Sequence, residues 1–127
     1  MGGLIEQLWP LFLVRDMSVS LTFYRDTLGF EVVGSAESDG AVFWCRLERG
    51  GACIMLQQAG AGTEITHSHD TFYFVCDDAD AIYKELQDKE VELEPPSVAY
   101  YGMRQLFVPD PDGRGIIFES RTEEWSG

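Results

Sequence analysis

The chain has 127 residues, 45% of them apolar and 24% charged, and a formal net charge of −13. That is the size of one domain with an ordinary core, and the acidity argues against a nucleic-acid partner, whose phosphates demand a basic footprint. No run of about 18 apolar residues occurs, which excludes a helical membrane span.

The opening residues Met1-Gly2-Gly3-Leu4-Ile5-Glu6 carry no basic region, so no secretory leader is expected. Glu6 stands where myristoylation of Gly2 would need Ser or Thr. An apolar run from Leu8 to Val14 reads as a strand that Pro10 pushes toward an early or edge position. Asp16 is a good N-cap, and Val19, Leu21, Phe23, Tyr24 and Leu28 follow at helical spacing until Gly29 supplies a stop. Strands are expected at Phe30–Val33, Ala41–Leu47 and Cys53–Gln57, separated by Ser38-Asp39-Gly40 and Gly50-Gly51.

Ala59-Gly60-Ala61-Gly62-Thr63 is a small-residue linker. After it the order repeats: a strand over Thr71–Cys76, Asp78 as N-cap, and a helix with Ala79, Ile82, Tyr83 and Leu86 facing inward. Strands are expected near Val91–Leu93, Gln105–Val108 and Gly115–Ser120, with Pro95-Pro96 in the long connection. Asp110-Pro111-Asp112-Gly113 is a strong hairpin turn, since Pro fixes φ and Gly permits a positive one.

The repeat is internally consistent. The offset that carries Asp16 onto Asp78 also carries Cys53–Gln57 onto Gly115–Glu119, so two readings must agree. The expected fold class is α+β. One domain spans 1–127, with module one at about 5–58, a linker at 59–68 and module two at about 69–121. One helix per module covers one face of its sheet, and the other face is left to line a cavity. Cys45, Cys53 and Cys76 are odd in number and lie in apolar contexts, which fits free thiols in a reducing cytoplasm better than a disulfide.

Val14-Arg15-Asp16, Phe23-Tyr24-Arg25-Asp26, Leu28-Gly29-Phe30, Tyr101-Gly102, Arg104 and Asp110-Pro111-Asp112-Gly113 together resemble the vicinal-oxygen-chelate superfamily. That group holds glyoxalase I, extradiol dioxygenases, fosfomycin-resistance transferases and bleomycin-resistance proteins. The resemblance implies two tandem β-α-β-β-β modules whose curled mixed sheets enclose a cavity, and a homodimer. In metal-dependent members, a His, Gln or Glu lies on the first strand of each module, seven residues before the capping Asp. A Glu lies on the last strand of one or both modules.

Those positions are Trp9 and Thr71, then Met55 and Ile117, in this chain. A catalytic divalent ion needs about three imidazole or carboxylate ligands, and this set supplies none. The resemblance therefore implies no metal and no cofactor, and points away from metal-dependent catalysis. His69 and Glu119 keep the inward parity, but on parallel strands their shifts separate them by roughly 13 Å. His67 and His69 read as solvated linker residues.

The inward face set by these positions also holds Leu11, Leu13, Cys53, Gln57, Tyr73 and Glu119, while Phe12, Val14, Phe72 and Phe74 pack under the helices. The expected ligand-binding residues are Trp9, Trp44, Met55, Gln57, Thr71, Tyr73, Tyr101, Met103, Ile117 and Glu119. Such a lining suits a small organic molecule, aromatic or cationic, as in bleomycin-resistance proteins. Arg104 is an internal partner for Glu119 in one reading, and a cationic ligand is its partner in the other. Two alternatives stay open: a divalent-metal-dependent lyase, isomerase or dioxygenase, and a ligandless dimeric or regulatory module with Trp9 and Met55 filling the space.

Overall fold

Each half of the chain is organised around an aspartate that ends a strand and starts a helix. In the computed structural model, which describes residues 2–65 and 70–125, Asp16 accepts from the amide of Val19 at 3.3 Å. Asp78 accepts from Asp80 at 2.9 Å and Ala81 at 3.2 Å. Both caps sit in extended backbone, so the carboxylate covers amides that lack a helical acceptor. The chain divides into two units, residues 1–65 and 66–127.

In the first unit, strand β1 is Leu11–Val14 and helix α1 is Met17–Leu21, continued by a π-helical turn over Thr22–Thr27. Strands β2 (Glu31–Ser38), β3 (Ala41–Arg49) and β4 (Ala52–Gln58) complete a sheet of order β1-β4-β3-β2. β1 runs parallel to β4, with Leu11 opposite Met55 and Leu13 opposite Gln57. Phe12, Val14, Cys45, Leu47, Ile54 and Leu56 are buried with Met17, Tyr24 and Leu28 of the helical segment. The wide turn closes when the Leu28 amide bonds to Phe23 O at 2.9 Å, and Gly29 leaves it with φ 73°. Arg49 Nη1 donates to the Leu28 carbonyl at 2.8 Å. Gln58 ties the helix start to the sheet, accepting from the Met17 amide at 2.8 Å and donating to Arg15 O at 2.7 Å. Val19 is half exposed, and Met17 and Ser20 take the buried places ahead of Tyr24 and Leu28.

In the second unit, β5 is Thr71–Val75, α2 is Ala79–Asp88, β6 is Ser97–Val98, β7 is Met103–Phe107 and β8 is Gly115–Arg121. The order β5-β8-β7-β6 repeats that of the first sheet. β5 runs parallel to β8, with Tyr73 opposite Ile117, the counterpart of Leu11 opposite Met55. The 62-residue offset therefore holds for caps and strand register alike. Ala79, Ile82 and Leu86 of α2 are buried with Leu106, Ile116 and Phe118, and the Ala79 amide bonds to Ser120 Oγ at 2.9 Å.

No strand forms at Val91–Leu93. The Val91 amide returns to Leu86 O at 3.0 Å to close α2, and Pro95 and Pro96 have no amide to give a ladder. The strand forms only beyond them, at Ser97–Val98. The turn after β7 is held by Asp110, which accepts from the amides of Asp112 at 2.9 Å and Arg114 at 2.8 Å. Its other oxygen pairs with Arg114 Nη1 at 2.6 Å. The result is an α+β fold of two tandem modules, each a four-stranded mixed sheet that does not close into a barrel. No helix among the described residues is long and apolar enough to cross a membrane.

Candidate functional site

Alternation along the strands leaves each sheet one face turned away from its own helix. In the first unit that face carries Leu11 and Leu13 of β1, Met55 and Gln57 of β4, and Trp44 and Arg46 of β3. Leu11 and Leu13 are 45% and 39% exposed. Trp44 stands opposite Gln57, and Arg46 opposite Met55. Trp9 lies just ahead of β1 with its ring 4.5 Å from the Arg46 guanidinium. Arg46 Nη1 also donates to Glu48 Oε1 at 2.9 Å and to Cys53 Sγ at 3.6 Å. The four expected residues of this unit, Trp9, Trp44, Met55 and Gln57, thus share one face.

Arg46 and Glu48 share this face with Trp44 and were not among the expected residues. Their signal was present in the alternation Trp44, Arg46, Glu48 against Cys45 and Leu47, whose side chains are buried. A cleft of about 300 Å³ between the N-terminal segment and the β3–β4 turn is lined by Glu6, Trp9, Glu48 and Cys53, among others. Cys45 sits on the other face, and burial pushes its thiol pKa up, which leaves it protonated and unreactive.

In the second unit the same face presents Tyr73 and Val75 of β5, Ile117, Glu119 and Arg121 of β8, and Met103, Gln105 and Phe107 of β7. Tyr73 and Phe107 flank Ile117 in one row and are 49% and 54% exposed. The next row, Val75–Glu119–Gln105, holds the polar centre. Tyr101 donates its hydroxyl proton to Glu119 Oε2 at 2.8 Å. The Gln105 amide donates to the same oxygen at 2.9 Å and to Tyr101 Oη at 2.7 Å. The hydrogen bond to Glu119, then burial, then the charge of Glu119 push the Tyr101 pKa up to about 12. Tyr101 is brought to this place by the turn that Gly102 makes at φ 91°, where the Thr122 hydroxyl donates to Gly102 O at 2.5 Å.

Of the expected residues in this unit, Tyr101 and Glu119 are bonded, Tyr73 and Ile117 are strand partners, and Met103 is buried at the start of β7. Thr71 is exposed opposite Gly115, two rows from Glu119. Arg104 is not the partner of Glu119. It stands opposite Ser120 on the helix side, and its Nε pairs with Asp80 Oδ2 of α2 at 2.8 Å. Gln105, the next residue, has the parity that reaches Glu119.

Trp9, Met55, Thr71 and Ile117 do not form a donor set for a divalent ion, since imidazole and carboxylate are absent from all four. Among the described residues no group of three His, Cys, Asp or Glu side chains is placed to hold a metal. His67 and His69 lie outside the described residues.

The family model described as the glyoxalase/bleomycin resistance protein/dioxygenase superfamily matches residues 7–118. No curated protein matches the chain. Among solved structures, a bleomycin resistance determinant encoded on the transposon Tn5 is similar at 21% identity and a TM-score of 0.73, over 92% of this chain and 98% of that one. TioX from Micromonospora sp. ML1 is similar at 16% identity and a TM-score of 0.72, over 92% and 99%. TnmS3, an antibiotic binding protein from Streptomyces sp. CB03234, is similar at 21% identity and a TM-score of 0.69, over 94% and 100%. At these identities the likeness carries the fold.

Proposed function

This chain belongs to the glyoxalase/bleomycin resistance protein/dioxygenase superfamily, and we propose that it is a metal-free member that binds a small organic molecule, aromatic or cationic. The observation that carries this reading is the side-chain chemistry at the family's four ligand positions. Trp9 and Met55 on one sheet face, and Thr71 and Ile117 on the other unit's, replace ion ligands with groups that offer contact area. Exposed apolar and aromatic side chains on sheet faces, with few polar groups among them, are the usual material of a ligand site. Leu11, Leu13, Tyr73 and Phe107 are such side chains.

The role is capture. Aromatic rings such as Trp9, Tyr73 and Tyr101 supply stacking area and attract cations through their faces, and a net charge of −13 favours the approach of positive molecules. No bond of the ligand need be broken. The antibiotic-binding and bleomycin-resistance proteins of the same fold support sequestration of a toxic compound as the biological use. The proposed setting is a homodimer in the cytoplasm, with both modules in one domain.

Titration with a panel of glycopeptides and aromatic cations, read by calorimetry and by tryptophan fluorescence, tests the proposal. Saturable binding accompanied by a change in Trp9 or Trp44 emission is expected, and Trp9→Phe and Trp44→Phe assign the signal. Binding by no compound of the panel refutes capture and leaves the ligandless dimer as the better description.

A further inference from the structure

We infer that Glu119, backed by Tyr101 and Gln105, is where this protein grips a protonated amine on its ligand. The inference rests on the proposed binding of a small organic molecule, and it names that molecule's chemical class.

Glu119 is only 7% exposed. A carboxylate taken that far from water is strongly destabilised unless a partner compensates it. Its two oxygens offer about four acceptor sites. Its two side-chain donors, the Tyr101 hydroxyl and the Gln105 amide, converge on Oε2. Both are neutral, and no donor among the described residues reaches Oε1, which is left open to solvent and so within reach of a ligand.

The cations nearby in sequence are engaged elsewhere. Arg104 projects to the helix side and pairs with Asp80. Arg121 shares the face of Glu119 but stacks over the Trp125 ring at 4.7 Å. Among the described residues, Glu119 forms no ion pair. An ammonium group donates several hydrogen bonds from a compact positive charge, which is what Oε1 lacks.

The neighbouring row supplies the rest of the fit. Tyr73 and Phe107, both about half exposed, flank Ile117 one strand row away from Glu119. Rows on one sheet face are roughly 7 Å apart along the strand. A ring resting on Tyr73 would therefore present a nitrogen to Glu119 through a short alkyl chain. The class is the arylalkylamines.

Calorimetric titration of the full chain with tryptamine, tryptophol and indole-3-acetate tests this, because the three share one ring and differ in the charge of the tail. Tryptamine is expected to bind roughly tenfold or more tighter than tryptophol, with indole-3-acetate weakest. Glu119→Gln should abolish the preference of tryptamine over tryptophol. Glu94→Gln removes the same charge from an exposed position and should keep the preference, which separates the local carboxylate from the overall field.

Equal binding of tryptamine and tryptophol to the native chain, or a preference that survives Glu119→Gln, overturns the inference and leaves small-molecule binding intact. So does failure of all three indoles in a chain that binds other aromatic compounds. A chain that binds nothing overturns the underlying reading as well. The native comparison of the three tails decides the matter even where Glu119→Gln fails to fold.

Discussion

Replacing Glu119 by Gln keeps an oxygen within reach of Tyr101 and removes only the charge. In the native chain the Tyr101 hydroxyl donates to Glu119 at 2.8 Å, and its pKa rises from 10 to about 12. Below pH 10 tyrosinate at this residue is therefore about a hundredfold rarer than on a free tyrosine. The hydrogen bond to the carboxylate is the largest cause, burial the second, and the charge of Glu119 the third. The variant should therefore return the midpoint most of the way to 10, with burial keeping a remainder.

The folded state holds this proton more tightly than the unfolded chain. Its contribution to stability is complete below pH of about 10 and is lost as the pH rises through about 12. Across that window the native Tm should fall more steeply than that of Glu119→Gln. The assay is tyrosinate absorbance against pH, with circular dichroism recorded in parallel. The chain has five tyrosines, and Tyr24 is fully buried, so the Tyr101→Phe curve is subtracted to isolate one hydroxyl. A native midpoint near 10, or one that Glu119→Gln leaves unmoved, would refute Glu119 as the partner that holds the Tyr101 proton.

Asp78→Ala uncovers two amides at the start of α2 and should cost about 1 kcal/mol in urea denaturation, with Asp78→Asn recovering most of it. Gly102→Ala meets both a φ of 91° and the backbone of Glu124 and Trp125, which occupies the place of a Cβ. It should lose more than about 1 kcal/mol by the same measurement. Arg104→Ala breaks a half-exposed pair with Asp80 on the helix side. It should cost less than about 1 kcal/mol and leave ligand affinity unchanged in calorimetry.

The parts of the fold that were legible in the sequence are those where local chemistry and the repeat coincide. Asp16 and Asp78 cap their helices because a carboxylate after a strand satisfies the same free amides in both units. The offset between them fixes which residues of β1 and β5 face away from the helices, and the parallel registers agree. Misreadings occurred where an apolar cluster served another purpose. Val91–Leu93 looks like a strand, yet the Val91 amide is spent on closing α2. The run from Val19 to Leu28 is helical, but its π turn is not written in residue spacing.

At the site, Glu119 and Tyr73 were reachable from parity and Tyr101 from the family resemblance, and Gln105 was not singled out. Opposite charge suggested Arg104 as the partner of Glu119, but side-chain direction outweighs charge on a strand. Residues 104 and 105 face opposite sides, and only Gln105 shares the side of Glu119. Arg46 carries no apolar signal within β3, although its alternation with the buried Cys45 and Leu47 puts it on the face where its guanidinium meets the Trp9 ring.

With Trp9, Met55, Thr71 and Ile117 at the family's ligand positions, the protein is proposed to hold no metal centre. Elemental analysis of the protein, purified without chelators, measures it directly. Manganese, nickel, iron and zinc should each be far below one equivalent per chain. One full equivalent of any of them, lost from Glu119→Ala or His69→Ala, would contradict the account.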